Sequence, residues 1–272
     1  MGHEGTIPEE PNKERTDEYS EDKEDEVVSE IFGIFAITNL AEHFTIVIEK
    51  KYDNTKMKLI KIKRLPTSGY EPTYTTLGWD KYFNVNNCYA YAVNDLETYR
   101  EEKSVPGDMS GLSSLPHNYK SCKDLPRRVL SDNPGKIYKT VAERKCKKGY
   151  YKIMMFVAPT NIYNEPYGDF HFYKQHSVVE YKVKPGENAK TIAEFFKIPM
   201  SEVLRVGPIV VGKRLRFHAN VWSHKRGWAT GALLHDASGK AILDPRKANR
   251  KYSHNYSKYC SSFCVKNTGI KV

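Results

Sequence analysis

A chain of 272 residues, 39% of them hydrophobic, is long enough for one medium-sized domain and a small module built around a proper core. No run approaches the roughly 18 apolar residues that a membrane-crossing helix needs, so no membrane span is expected. The net charge of +10 is unevenly divided: residues 1–30 hold twelve acidic and three basic side chains, near −9, and the rest of the chain carries about +19.

A basic body suits nucleic acid, an acidic cell-wall polymer or a membrane surface. Lys and Arg are nevertheless scattered through predicted strands, and no nucleic-acid motif is present, so nucleic acid is not the expected partner. Five cysteines, an odd number spread along the chain, do not read as a disulfide framework. Cys260 and Cys264 are near enough to meet, but no second close pair or Cys/His cluster accompanies them. Free thiols, no metal and no cofactor are therefore expected.

Residues 1–27 are rich in Glu, Asp, Lys and Pro and lack large apolar groups, which predicts a disordered acidic tail. An acidic, polar start is not a secretory signal peptide, so synthesis in a cytoplasm is expected. Met1-Gly2-His3-Glu4-Gly5-Thr6 fits the bare myristoylation pattern, which is short enough to arise by chance. The β-branched and aromatic runs Ile31 to Ile37, Phe44 to Ile48 and Met57 to Ile62 predict short strands joined by turns.

A turn-rich link, Pro66 to Pro72, leads to Asn86-Asn87-Cys88-Tyr89-Ala90-Tyr91-Ala92-Val93-Asn94. Tyr89, Ala92, Val93 and Leu96 are spaced as one helical face, which predicts a helix from Cys88 to about Arg100. Asn86 or Asn87 is available to cap it, leaving Cys88 where the helix dipole favours negative charge. Such a position lowers a thiol from about 8.5 towards roughly 3.5 to 7.5 and makes a nucleophile. The plainer expectation is a small buried apolar residue. Further on, helices are predicted around Pro126 to Leu130 and over Lys136 to Ala142.

Tyr150 to Pro159 reads as a buried strand, and Asp169-Phe170-His171-Phe172-Tyr173-Lys174-Gln175 as the next. His171 then stands on a rigid element that can lie against the start of the cysteine helix. The stretch from Tyr181 to Phe217 is self-contained, a strand, two short helices and a strand. If Phe172 to Gln175 pairs with Val221 to His224, this stretch occupies their turn, an insertion of small entropic cost. The tail, with Tyr252, Tyr256, Tyr259 and Phe263, predicts a last strand.

Val183-Lys184-Pro185-Gly186-Glu187, Ile192-Ala193, the Ile198 to Leu204 segment and Val211-Gly212-Lys213-Arg214-Leu215 closely resemble a LysM domain, a βααβ module that binds N-acetylglucosamine-containing glycans. The match covers residues 181–217. It implies a peptidoglycan or chitin-like partner held by Pro185, Gly186, Glu187, Val206 and Gly207. The chain departs from the family's pattern at Arg205-Val206-Gly207, where an Asn is usual, and a purely structural module is the alternative.

The order of Cys88 on a helix, His171 opening a strand and a later carboxylate resembles papain-like and NlpC-like cell-wall hydrolases, over roughly residues 80–265. Asn-Cys-Tyr-Ala-Tyr-Ala, Asp-Phe-His-Phe-Tyr-Lys-Gln, Trp-Ser-His-Lys and Leu-Asp-Pro-Arg are similar to bacterial and viral proteins of that type. The resemblance implies an α+β fold, a discontinuous domain of residues 28–180 and 218–272, and covalent acyl transfer. His171 would take the thiol proton, Cys88 would attack an amide carbonyl, and Asp244 would fix the imidazole. The Cys88 N–H with Asn86 or Asn87 would serve as oxyanion donors. His224, Asp169 and Asp236 are alternative bases or orienters, and His176 is read as a surface residue. Trp228, Tyr173 and Trp222 are candidates for a substrate groove, and Lys225 and Arg226 for attracting an acidic polymer.

Two functions of different class follow. One is a cysteine peptidase or amidase directed to cell-wall glycan, carried in a virion or released by lysis. The other is a non-enzymatic virion component that uses the same surfaces to bind virion proteins.

Overall fold

Strand-forming residues dominate the chain, and the computed structural model, which describes residues 34–37, 44–49, 58–112, 114–160 and 168–272, arranges them in two antiparallel sheets. The first is the hairpin series β1 (Ile34–Ile37), β2 (Phe44–Glu49) and β3 (Lys58–Lys63), in the order expected from the apolar runs. The tail of residues 1–27 and the start of the first run lie outside the described residues.

The second sheet has six strands in the order β4-β9-β5-β6-β7-β8, where β4 is Ile137–Thr140, β5 Tyr150–Ala158, β6 Asp169–Lys182, β7 Arg214–Lys225, β8 Ala232–Leu233 and β9 Lys258–Lys266. Both faces of central β5 are buried along its whole length. Helices α1 (Cys88–Ala92) and α2 (Leu125–Asp132) help cover one face, where Tyr89, Leu125 and Val129 pack on Ile153, Met155, Phe172 and Phe263. On the other face Met154, Phe156, Tyr173 and Trp222 meet Ile242, Tyr252 and Tyr256 from the segment before β9. The chain is α+β.

β6 and β7 are long, and their pairing runs from Tyr173↔His224 to Lys182↔Arg214, with one irregularity at His176/Val178. The junction between them holds α3 (Ala189–Phe196) and α4 (Met200–Leu204), giving the expected βααβ order. A capping box starts α3: the Asn188 side chain accepts from Thr191 N–H while the Thr191 hydroxyl accepts from Asn188 N–H. Buried Arg64 donates to the carbonyls of Phe196, Lys197 and Asn220. The end of α3 is thereby tied to the segment after β3.

Three local expectations are corrected. α1 is five residues long rather than thirteen, because Asn94 takes a left-handed conformation (φ 63°) and Asp95 N–H bonds back to the Ala90 carbonyl. The helix expected over Lys136 to Ala142 is instead strand β4, whose Ile137 to Thr140 pair with Val265 to Ser262. Four of the five cysteines are not free: Cys122 pairs with Cys260 and Cys146 with Cys264, across 138 and 118 residues of sequence. Separations of that size leave no local spacing to read.

Candidate active site

Cys88 is the first residue of α1, and its placement follows from Asn87. The Asn87 side-chain oxygen accepts from the N–H groups of Tyr89 and Ala90, and its amide donates to the Ser104 carbonyl at 2.6 Å. The Cys88 N–H, in the first helical turn, has no partner within the helix. Tyr89 stacks on Phe172 and Tyr91 donates to or accepts from Ser223, so the helix is pressed against β6 and β7.

Side chains alternate along β6. Phe170 and Phe172 face α1, whereas His171 and Tyr173 project from the opposite face. Cys88 and His171 reach a common cavity only at the edge of β6 beyond the end of the β7 pairing, which stops at Tyr173. There the thiol lies 3.7 Å from the Phe170 carbonyl. A cavity of about 130 Å³ opens at this edge, lined by Cys88, His171, Asp169, Tyr119, Lys103 and Tyr256 among others. The two groups share this cavity, with no hydrogen bond between them in this state. Cys88 is 4% exposed and His171 1%.

The partner of His171 is His224. Nε2 of His171 is 2.9 Å from Nδ1 of His224, and Nε2 of His224 is 3.0 Å from the His235 carbonyl. A carbonyl only accepts, so His224 carries its proton on Nε2 and presents an unprotonated Nδ1. His171 must then donate from Nε2, and its own Nδ1 is left as a lone pair. Tyr256 stacks on the His171 ring at 4.6 Å between centroids, and Tyr252 packs on His224 with its hydroxyl 3.2 Å from Nε2.

Charge is removed from this centre rather than paired. Burial holds His171 well below the ordinary histidine range, with His224 adding to the effect, and takes His224 down to about 3. The thiol is pushed up to about 12, first by burial and second by the neighbouring Asp169 carboxylate. The expected low-pKa thiolate is therefore replaced by a neutral thiol beside a neutral imidazole. The dipole of a five-residue helix does not offset complete desolvation.

The remaining expected residues are distributed as follows. Asp244 lies away from the histidines, taking three hydrogen bonds from Arg246. Asp236 is absorbed by the N–H groups of Ser238, Lys240 and Asn249. Asp169 lines the cavity but accepts from the Tyr256 hydroxyl at 2.6 Å and from Phe170 N–H, not from His171. Asn86 is spent on the loops flanking α1, donating to the carbonyls of Tyr82 before it and Glu97 after it and accepting from Glu97 N–H. Asn87 lines the cavity, although its oxygen is committed to the cap.

His176 is buried, not superficial, bonded to the Pro72 carbonyl and the Ser223 hydroxyl at 2.6 Å each. Lys225 is buried too, donating to the carbonyls of Phe83 and Gly227. Trp222 and Tyr173 are core residues, whereas Trp228 lines a wider groove of about 420 Å³ that adjoins the cavity.

Of the five residues expected to hold glycan, Pro185 lines a cavity of about 530 Å³ with Tyr74, Asp80, Tyr181 and Phe195. The Glu187 carboxylate is engaged by the Tyr181 hydroxyl and Lys184 N–H, and Gly186 and Gly207 occupy left-handed turns. Val206 packs against the core of the βααβ unit. Sequence reasoning passed over Tyr256, Tyr119 and Lys103 as site residues. The tyrosine-rich tail was the available signal for Tyr256, but it reads equally well as strand packing.

Among the described residues no three His, Cys, Asp or Glu side chains converge as a metal site requires, and no helix is long and apolar enough to cross a membrane. Comparison with protein-family models, curated proteins and solved structures finds no match.

Proposed function

We propose that this protein is a cysteine amidase or peptidase acting on cell-wall peptide or amide bonds, with Cys88 as nucleophile, His171 as base and His224 as the residue that orients it. One observation carries the reading: the hydrogen-bond chain from the His235 carbonyl through His224 leaves His171 Nδ1 without a proton, and His171 lines the same cavity as the only free thiol among the described residues. The thiol proton passes to His171 Nδ1 as sulfur adds to the carbonyl carbon. The imidazolium then returns the proton to the departing amine, and water hydrolyses the thioester. The Cys88 N–H is the oxyanion donor.

The βααβ unit supports a LysM-like role in holding a peptidoglycan or chitin-like glycan. Two disulfides fit work outside a reducing cytoplasm, after lysis or from within a virion. The test is digestion of purified peptidoglycan by the wild type, Cys88→Ala and His171→Ala, followed by mass spectrometry of soluble fragments. New amide-cleavage products are expected from the wild type alone. Their absence would favour a second reading, a non-enzymatic virion protein, for which the buried neutral thiol bonded to the Phe170 carbonyl is the supporting observation.

A further inference from the structure

The groove of about 420 Å³ beside the candidate site shares Lys103, Asp169, Gly227 and Tyr256 with the Cys88 cavity, so a ligand leaving the thiol passes into it. Its floor is aromatic, with Trp228, Tyr252 and Tyr256. Its charges are unbalanced. Most arginines with described side chains are engaged by carboxylates or carbonyls, as in Arg100–Asp95, Arg128–Asp124, Arg214–Glu180 and Arg246–Asp244. The Arg226 guanidinium has no such partner among the described residues and rests on the Tyr252 ring at 5.3 Å. The exposed Lys103 ammonium makes no close ion pair among the described residues, although its charge favours the ionised form of nearby Asp169, and it lies 5.0 Å above the Trp228 ring.

The one acid in the groove, Asp169, is half-buried with its oxygens on the Tyr256 hydroxyl and Phe170 N–H, and His254 Nδ1 stands 3.9 Å from it. Two cations over an aromatic floor, neither in close ion-pair contact, outnumber the single half-buried acid beside them and make a receptor for an anion attached to a flat or apolar body.

We infer that Lys103 and Arg226 select substrates carrying a free carboxylate near the scissile amide, so that the substrate is an acidic peptide. This rests on the amidase reading and names its substrate class. The carboxylate sits between the two cations, and the adjoining backbone runs along Trp228 into the Cys88 cavity.

The test uses the full chain with Cys88→Ala, titrated with acetyl-Ala-Glu-Ala-amide and acetyl-Ala-Gln-Ala-amide and followed by the indole N–H resonance of Trp228. The Glu peptide is expected to bind about tenfold more tightly, as two partly exposed charge pairs allow, with the preference falling as salt is raised. Arg226→Gln and Lys103→Gln should each remove several-fold of that preference. Arg216→Gln, on the Thr73 side of β7, should leave it intact. Equal affinity for the two peptides, binding of neither, or a preference that survives Arg226→Gln and Lys103→Gln together overturns the inference. Hydrolysis of peptidoglycan by the wild type is read separately. Its loss retires the amidase and leaves a binding preference standing, whereas hydrolysis with equal peptide binding retires only the charge selection.

Discussion

Alkylation of Cys88 tests the electrostatics of the site directly, because among the described residues the other four cysteines are paired and a whole-protein mass shift in non-reducing buffer reports this thiol. Burial and Asp169 raise it from 9.0 to about 12, three pH units. At about 1.4 kcal/mol per unit, the fold disfavours the thiolate by roughly 4 kcal/mol. At pH 8 the thiolate fraction falls from about one tenth to about one ten-thousandth, so iodoacetamide should react about a thousandfold more slowly than with the urea-unfolded, disulfide-intact chain. The rate should climb tenfold per pH unit through pH 10 without a plateau. His171→Ala should leave this resting rate almost unchanged, since a neutral imidazole lends no charge to the sulfur. Asp169→Asn should raise it several-fold by removing the second cause. A plateau with an apparent pKa below about 8, abolished in His171→Ala, would refute the reasoning and restore a thiolate–imidazolium pair.

Three further outcomes follow from the same contacts. His224→Leu removes the acceptor of His171 Nε2–H, and any peptidoglycan-cleaving activity should fall by about 10² to 10⁴ in kcat with a smaller change in KM; an unchanged kcat would remove His224 from the mechanism. His176 and His224 are each lowered from 6.5 to about 3 by burial, so their stabilising neutral form is fully favoured above 6.5 and is lost as pH falls towards 3. The unfolding free energy from urea melts should therefore drop by about 3 kcal/mol per histidine between pH 6.5 and 4, and a flat profile across that window contradicts the burial. Reduction of the two disulfides, which close loops of 138 and 118 residues, should lower unfolding stability by about 5 kcal/mol for the first bridge broken or less, since the loops overlap. Urea melts with and without a phosphine reductant measure this, and coincident melts would show that the bridges contribute nothing.

Periodicity carried the architecture where the signal was local. The apolar runs that became β5 and β6 and the strand-helix-helix-strand order over residues 181–217 follow from neighbouring residues. That Cys88 and His171 line one cavity was foreshadowed by a capped helix start and a polar break in an aromatic strand, which are also local features. The partner of His171 was not. Asp244 and His224 are equally polar in sequence, and only the course of β7 beside β6 brings His224 to His171 while the Asp244 carboxylate closes on Arg246. The direction of the thiol shift was likewise hidden, because complete burial comes from Phe170, Tyr119 and Tyr256, which are far apart along the chain. The same holds for Lys225, set beside Arg226 as a cation for an acidic polymer and found buried.

The way the βααβ unit is mounted constrains any role it has in targeting. A module on a flexible linker raises local substrate concentration over a range set by linker length. Here no linker exists: β6 and β7 run as continuous strands, with one irregularity at His176/Val178, from the candidate site into the unit, and Arg64 fastens the end of α3 to the segment after β3. From His171 to Lys182 the strand rises about 36 Å at roughly 3.3 Å per residue. A polymer gripped by the unit would be presented to the groove at one distance and one orientation. Targeting by this unit therefore works only for a substrate whose repeat places an amide at that offset, and shortening the β6–β7 ladder by two paired residues should abolish it while leaving cleavage of small soluble peptides unchanged. Loss of both together would instead make the unit a structural buttress for the strands that hold His171 and His224.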